Sequence, residues 1–149
     1  MRNKPQVFNQ DSYDKANTFG IDIVCGFLKG RGYTILEKEE DYKNDIDALN
    51  SVGELIKFEA EVKDTFFTSA QDFPFPSVSF AARKKKYVSF WYIIVCTKTN
   101  YAVACHSDVI FQDEYAETVY INTTKRLGDD YFFRVPNDKC HFFKVRNDY

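Results

Sequence analysis

Residues 44–64 read NDIDALNSVGELIKFEAEVKD. Asp45-Ile46-Asp47-Ala48-Leu49 and Phe58-Glu59-Ala60-Glu61-Val62-Lys63 both alternate polar with apolar side chains, the pattern of two strands that each bury one face. Gly53 supplies a residue suited to positive φ, so Val52-Gly53-Glu54 reads as a three-residue hairpin connection. That turn pairs Ser51 with Leu55 and sets Asp47 opposite Glu59 and Asp45 opposite Glu61. All four acids and Lys63 then share one surface, and Ile46, Ala48, Ile56, Phe58, Ala60 and Val62 line the other. A two-residue turn would divide the acids between faces, because a one-residue slip inverts every side chain.

Four carboxylates gathered on one strand pair repel, at a cost of some tenths of a kcal/mol for each opposed pair and more where water is excluded. A positive charge belongs among them. Lys63 supplies one, and a divalent ion would supply more. Mg²⁺ suits such a site because it takes one or two carboxylates and keeps waters for the remaining positions. A metal there would activate water for attack on phosphorus, with the lysine ammonium orienting the nucleophile or offsetting developing charge.

Asp47, thirteen intervening residues and then Glu61-Val62-Lys63 resemble the core motif of the PD-(D/E)xK nuclease superfamily, which includes restriction endonucleases and Holliday-junction resolvases. Upstream, a helix followed by Gly32-Tyr33-Thr34-Ile35-Leu36 and then Asn44-Asp45-Ile46-Asp47 is similar to the start of small resolvase-like members. The resemblance covers about residues 12–96. It implies a restriction-endonuclease-like α/β fold, a mixed central sheet flanked by helices. It makes Asp47 and Glu61 the metal ligands, with the Val62 carbonyl completing the shell, and Lys63 the catalytic lysine. Asp45 and Glu59 are second-tier candidates on the same face. Two departures stand out: Asn44 or Ile46 occupies the place of a proline found in some members, and Asp22 falls one position from the first-helix acid of many resolvase-like members. The implied activity is Mg²⁺- or Mn²⁺-dependent DNA endonuclease action, structure-specific on branched DNA, by a homodimer in recombination or repair. The alternative is a catalytically silent module that keeps the fold to bind nucleic acid or a protein; a purely structural acidic face is a third reading.

A chain of 149 residues with 44% hydrophobic and 17% aromatic residues fits one domain with a substantial core. Its nuclease-like core is expected over about residues 12–105 and a β-rich extension over about 106–149. No apolar run reaches membrane-spanning length and the N-terminus lacks a signal-peptide pattern, so an intracellular, cytoplasmic or nucleoid-associated protein is expected. Cys25, Cys96, Cys105 and Cys140 show no metal-ligand spacing and read as reduced, mostly buried thiols.

The net charge is −2, so affinity for a polyanion requires concentrated basic groups. Arg83-Lys84-Lys85-Lys86 is such a concentration, expected on a helix that crosses between two sheet strands and flanks the site; the plainer reading is a solvated face. Elsewhere, residues 12–31 read as a helix with Asp11 or Ser12 as N-cap, an apolar stripe of Ala16, Phe19, Ile23, Phe27 and Leu28, and exit glycines 30 and 32. Strands are expected at 33–37, 44–50, 55–63, 89–96 (extending from Val88), 101–105, 119–123, 131–135 and 140–145, with a short helix over 108–115. The phenylalanine-rich stretch 65–76 reads as a loop because Pro74 and Pro76 exclude a central strand. Asp129, Asp130 and Asp138 read as turn formers.

Overall fold

A computed structural model of the chain describes residues 10–37, 45–87, 89–122 and 127–147, with side chains at all of these except 10–17, 118–122 and 127–130. Asn44, Val88 and Thr123 lie outside the described residues, whereas Asp11 and Ser12, expected as caps, and the stripe member Ala16 fall inside the first helix, Gln10–Gly30, with their side chains not described.

Helix α1 spans Gln10–Gly30. It ends in a Schellman motif: Gly32, at φ +90°, donates its N–H to the Lys29 carbonyl, and the Tyr33 N–H reaches back to Leu28. Strands follow as β1 (Thr34–Ile35), β2 (Ile46–Leu49), β3 (Leu55–Lys63), β4 (Ser77–Ala81), β5 (Trp91–Cys96) and β6 (Tyr101–His106). A single helical turn α2 (Ser107–Ile110) precedes β7 (Ala116–Asn122), β8 (Leu127–Pro136) and β9 (His141–Lys144).

Six strands form a mixed sheet in the order β1-β2-β3-β5-β6-β9, in which only the β3–β5 pair is parallel. Strands β4, β8 and β7 make a separate antiparallel sheet. The molecule is thus mixed α/β in three layers. Helix α1 covers one face of the large sheet, packing Val24 and Leu28 against Ile46, Ala48, Phe58, Ala60, Ile93 and Val95. The small sheet covers the other, where Val78, Phe80, Phe133 and Val135 meet Tyr92, Ile94, Cys96, Val103 and Cys105. The buried line of α1 passes through Gly20, Val24 and Leu28, while the expected stripe members Phe19, Ile23 and Phe27 are half-buried flanks. Gly20 permits this rotation: a Cβ there would sit 3.1 Å from the Val62 side chain, so the helix backbone lies directly on β3.

The β2–β3 hairpin keeps the expected faces but not the expected register. Ile46 pairs with Phe58, Asp47 with Lys57 and Leu49 with Leu55, so the loop is Ser51-Val52-Gly53, one residue earlier than the sequence suggested. Asn50 sets this position. Its Oδ1 accepts from the N–H groups of Val52 (3.1 Å) and Glu54 (2.9 Å), its Nδ2 donates to Glu54 Oε1 (2.9 Å), and Gly53, at φ +84°, donates to its carbonyl (3.0 Å). Advancing the loop by one residue moves the pairing by two, which preserves the faces. A one-residue slip would have exposed Ile46 and Phe58, at a loss of about 1.5–3 kcal/mol for each large apolar side chain.

The β3-to-β5 crossover departs furthest from expectation. In place of a helix it carries β4, and the basic segment is a 3₁₀ turn, Ala82–Lys86. Ser77–Ala81 has only five residues and follows two prolines, so its alternation is too short to read as a strand. Asp129 and Asp130 lie within β8, which pairs along β7, whereas Asp138 does sit in a 3₁₀ turn, Asn137–Lys139. The expected 108–115 helix divides into α2 and a 3₁₀ turn at Asp113–Tyr115. Among the described residues no helix is long and apolar enough to cross a membrane.

Candidate functional site

Among the described residues, strands β2 and β3 are paired only as far as Ile46 and Phe58, and β3 continues beside β5 out to Lys63 opposite Cys96. Asp45 stands at this fork. Continuing the register sets it opposite Glu59, and two hydrogen bonds fasten the pair: the Asp45 N–H donates to Glu59 Oε2 (2.9 Å), and Asp45 Oδ2 accepts from the Ala60 N–H (3.0 Å). Asp47 lies opposite Lys57 instead. Lys57 and Glu61 are four residues apart on one strand, roughly 13 Å at β-strand rise. The structure therefore does not bring Asp47 and Glu61 together. It brings Asp45 to Glu59, and to within two residues of Glu61 on the same face.

Glu59 is 1% exposed. Burial, and then the charge of Asp45, push its carboxyl up to about 7, against the opposing hydrogen bond and charge of Lys84. The Lys84 ammonium reaches in from the 3₁₀ turn to hydrogen-bond Glu59 Oε1. Desolvation alone would depress the lysine; its hydrogen bond and attraction to Glu59 outweigh that and hold it above the ordinary range. Lys84, expected on a nucleic-acid-facing surface, is turned into the protein.

Glu61 points to the same side and is partly open. Its Oε1 accepts from the phenol of Tyr92 (2.9 Å), a side chain buried at 0% exposure, and its Oε2 lies 3.9 Å from the Arg83 guanidinium. The Tyr92 hydroxyl also accepts from the Ala81 N–H (3.3 Å), so it is tied to β4 and to β3 at once. Desolvation and the neighbouring Glu61 charge raise the phenol far above its ordinary range, so it stays a donor. Lys63 follows on the same face; burial lowers its ammonium below the ordinary lysine range, Glu61 opposes that shift and Arg134 adds to it. Val62 points the other way, onto α1.

Arg83, Lys85 and Lys86 belong to the same 3₁₀ turn as Lys84. Arg83 is 59% exposed. Lys85 lies over the Phe133 ring at 5.6 Å and Lys86 over Tyr87 at 5.3 Å. Arg134, on β8, pairs with Glu117 at 2.5 Å. Asp22 is exposed on the α1 side of the sheet, lining a cleft with Gly26, Arg31, Lys144 and Arg146, and so takes no part in this arrangement.

Among the described residues, no three His, Cys, Asp or Glu side chains converge as a ready-made metal cage. The donors present are carboxylate oxygens, the hard-ligand chemistry that suits Mg²⁺ or Mn²⁺, and Mg²⁺ needs only one or two of them. Sequence reasoning missed three participants. The sequence reads Lys84 as outward and gives Tyr92 and Arg134 no part in the site, because Lys84 and Arg134 arrive through the second sheet and Tyr92 through the parallel pairing of β5 with β3. No family model, curated protein or solved structure matches this chain.

Proposed function

We propose that this chain is a Mg²⁺- or Mn²⁺-dependent DNA endonuclease with a restriction-endonuclease-like site, in which Asp45 rather than Asp47 is the aspartate that works with Glu61 and Lys63. The observation that carries the reading is the position of Asp45 at the fork of β2 and β3, within two residues of Glu61 in register and on its face. Asp45 and Glu61 would hold the ion, and the bound ion would supply a water of lowered pKa together with positive charge at the leaving oxygen. Glu59 and Lys84 form the support below, anchoring Asp45 through its backbone N–H. Tyr92 fixes the rotamer of Glu61. Lys63, with its ammonium lowered by burial, is suited to orient the nucleophile and move a proton. Arg83, Lys85 and Lys86 supply the rim that meets a phosphate backbone. Branched DNA as substrate and a homodimer acting on two strands complete the proposal by analogy to the resolvase-like members.

A specific observation favours a second reading, a nuclease-like module that binds without cutting. Glu59 already has a lysine counter-ion and Glu61 a phenol donor, so both carboxylates are satisfied by the protein itself.

The deciding experiment incubates labelled linear duplex, single strand, flap and four-way junction with Mg²⁺ or Mn²⁺, against EDTA and against Asp45→Asn and Lys63→Ala. Metal-dependent cutting lost in both variants is the expected result, and the preferred substrate names the class. Junction binding without cutting would establish the second reading. Sedimentation of the junction complex tests the dimer.

A further inference from the structure

Cys105 closes the buried part of β6 and Cys140 immediately precedes β9. These strands pair antiparallel with Ala104 opposite His141, so the next rung sets Cys105 opposite Cys140. The character of that rung follows from the far end of the ladder. The Val145 N–H donates to the Asn100 carbonyl at 2.7 Å, which makes that rung hydrogen-bonded. Alternation then makes Tyr101/Lys144, Val103/Phe142 and Cys105/Cys140 the non-hydrogen-bonded rungs, where antiparallel Cα atoms approach to about 4.5 Å, within the span a disulfide bridges. Consistent with this, the Cys140 N–H turns away to the Asn137 carbonyl. Both side chains lie on the core face shared with Val103 and Phe142, where the Cys105 thiol donates to the Lys139 carbonyl (3.6 Å) and the Cys140 thiol to the Pro136 carbonyl (3.7 Å).

We infer that Cys105 and Cys140 are a redox-modifiable pair, closing to a cross-strand disulfide with a low-molecular-weight disulfide as oxidant. Cys140 is half-buried and Cys105 is 1% exposed, so the oxidant enters at Cys140. The Cys140 thiolate attacks one sulfur of the small disulfide, forming a mixed disulfide and expelling one small thiol after protonation. The Cys105 thiolate then attacks the Cys140 sulfur, the protein disulfide forms, and the second small thiol leaves. Two protein thiols are oxidised and one small disulfide is reduced to two thiols.

The segment between the two cysteines contains all of β7 and β8. Closing the bridge staples both ends of that hairpin to the large sheet, and with it Arg134. Cys105 also pairs directly with Tyr92, so the bridge tightens the strand that presents the phenol to Glu61. Formation of the bridge does not depend on the nuclease reading.

The test treats the full chain with oxidised glutathione, alkylates remaining thiols under denaturing conditions, and maps disulfides by intact and peptide mass. The expected product has lost two hydrogens, links Cys105 to Cys140, reverts with dithiothreitol, and unfolds at a higher temperature than the reduced protein. Cys105→Ala should stop at a stable Cys140–glutathione adduct, and Cys140→Ala should form neither species. A stable Cys140–glutathione adduct in the unsubstituted chain, a bridge involving Cys25 or Cys96, or an oxidised protein no more heat-resistant than the reduced one would each overturn the inference.

Discussion

The ammonium of Lys84 is hydrogen-bonded to the carboxylate of Glu59, a side chain 1% exposed at the head of the β2–β3 fork, and the lysine that reaches it is itself only 18% exposed. The two residues are 25 apart in sequence. Their meeting depends on β4, which turns the chain back over the large sheet and delivers the 3₁₀ turn beside β3. A buried pair of this kind contributes little net stability against well-packed apolar residues, but breaking it strands a charge.

Lys84→Met is accordingly expected to lower unfolding stability by roughly 3–5 kcal/mol. The double substitution Lys84→Met with Glu59→Gln should recover part of that loss, since the unpaired carboxylate is then absent. Urea denaturation of the unsubstituted protein, Lys84→Met, Glu59→Gln and the double variant checks both statements, and independent, additive losses would contradict the pairing.

Glu59 also sets a pH dependence in metal-free buffer. Burial and Asp45 raise its carboxyl to about 7, above the value it has when unfolded, so the folded state binds the proton more tightly. Its contribution to stability is present below the ordinary carboxylate range, declines as pH rises through the interval up to about 7, and is level beyond. Asp45, Lys84 and the backbone N–H of Asp45 are the groups that face it. Comparing wild type with Glu59→Gln between about pH 5 and about pH 8 isolates this decline, which the substitution should remove. An unchanged difference between the two proteins across that range would show that Glu59 is not raised.

Asp45→Asn and Asp47→Asn separate the structural register from the one the sequence suggested. The former should abolish the rise in melting temperature with Mn²⁺ and reduce cleavage at least about 100-fold, the scale of losing a group that acts on the transition state. The latter should retain both within about tenfold. Circular dichroism of Asp45→Asn guards against misfolding, because the same carboxylate accepts from the Ala60 N–H. The reverse pattern would return the site to Asp47.

Tyr92→Phe removes the donor to Glu61 and leaves the Ala81 N–H without its acceptor. Loss of about 1.5–3 kcal/mol is expected, the range for a buried hydrogen bond to a charged group. A change below about 0.5 kcal/mol would mean that water replaces the hydroxyl.

Combined neutralisation of Arg83, Lys85 and Lys86 should weaken DNA binding alike for all sequences. The slope of log affinity against log salt should become shallower by about 0.9 for each phosphate that the variant no longer neutralises. Fluorescence anisotropy across a salt series reads this directly, and an unaltered slope would remove the rim from the interface.

How much of this was legible in the sequence depends on the range of the interactions involved. The hairpin, its division into an acidic and an apolar face, the strand ending in Glu61-Val62-Lys63, the long helix with its Gly32 stop, and the β5–β6 pair follow from side-chain alternation and local turn chemistry. Such signals lie within a few residues of one another. The register within the hairpin was also local, but it was carried by the Asn50 side chain closing the turn, a weaker mark than the glycine beside it. What the tertiary structure alone decided was that Lys84 points inward, that Tyr92 holds Glu61, and that Cys105 faces Cys140. Each joins side chains whose neighbours in sequence give no sign of the partner. They meet because a short strand after two prolines and a distant hairpin form a second sheet over the first, because β5 crosses over to pair parallel with β3, and because β9 pairs at the far edge of the large sheet. Alternation specifies which face a side chain occupies, whereas only the packing of the layers determines what it meets there.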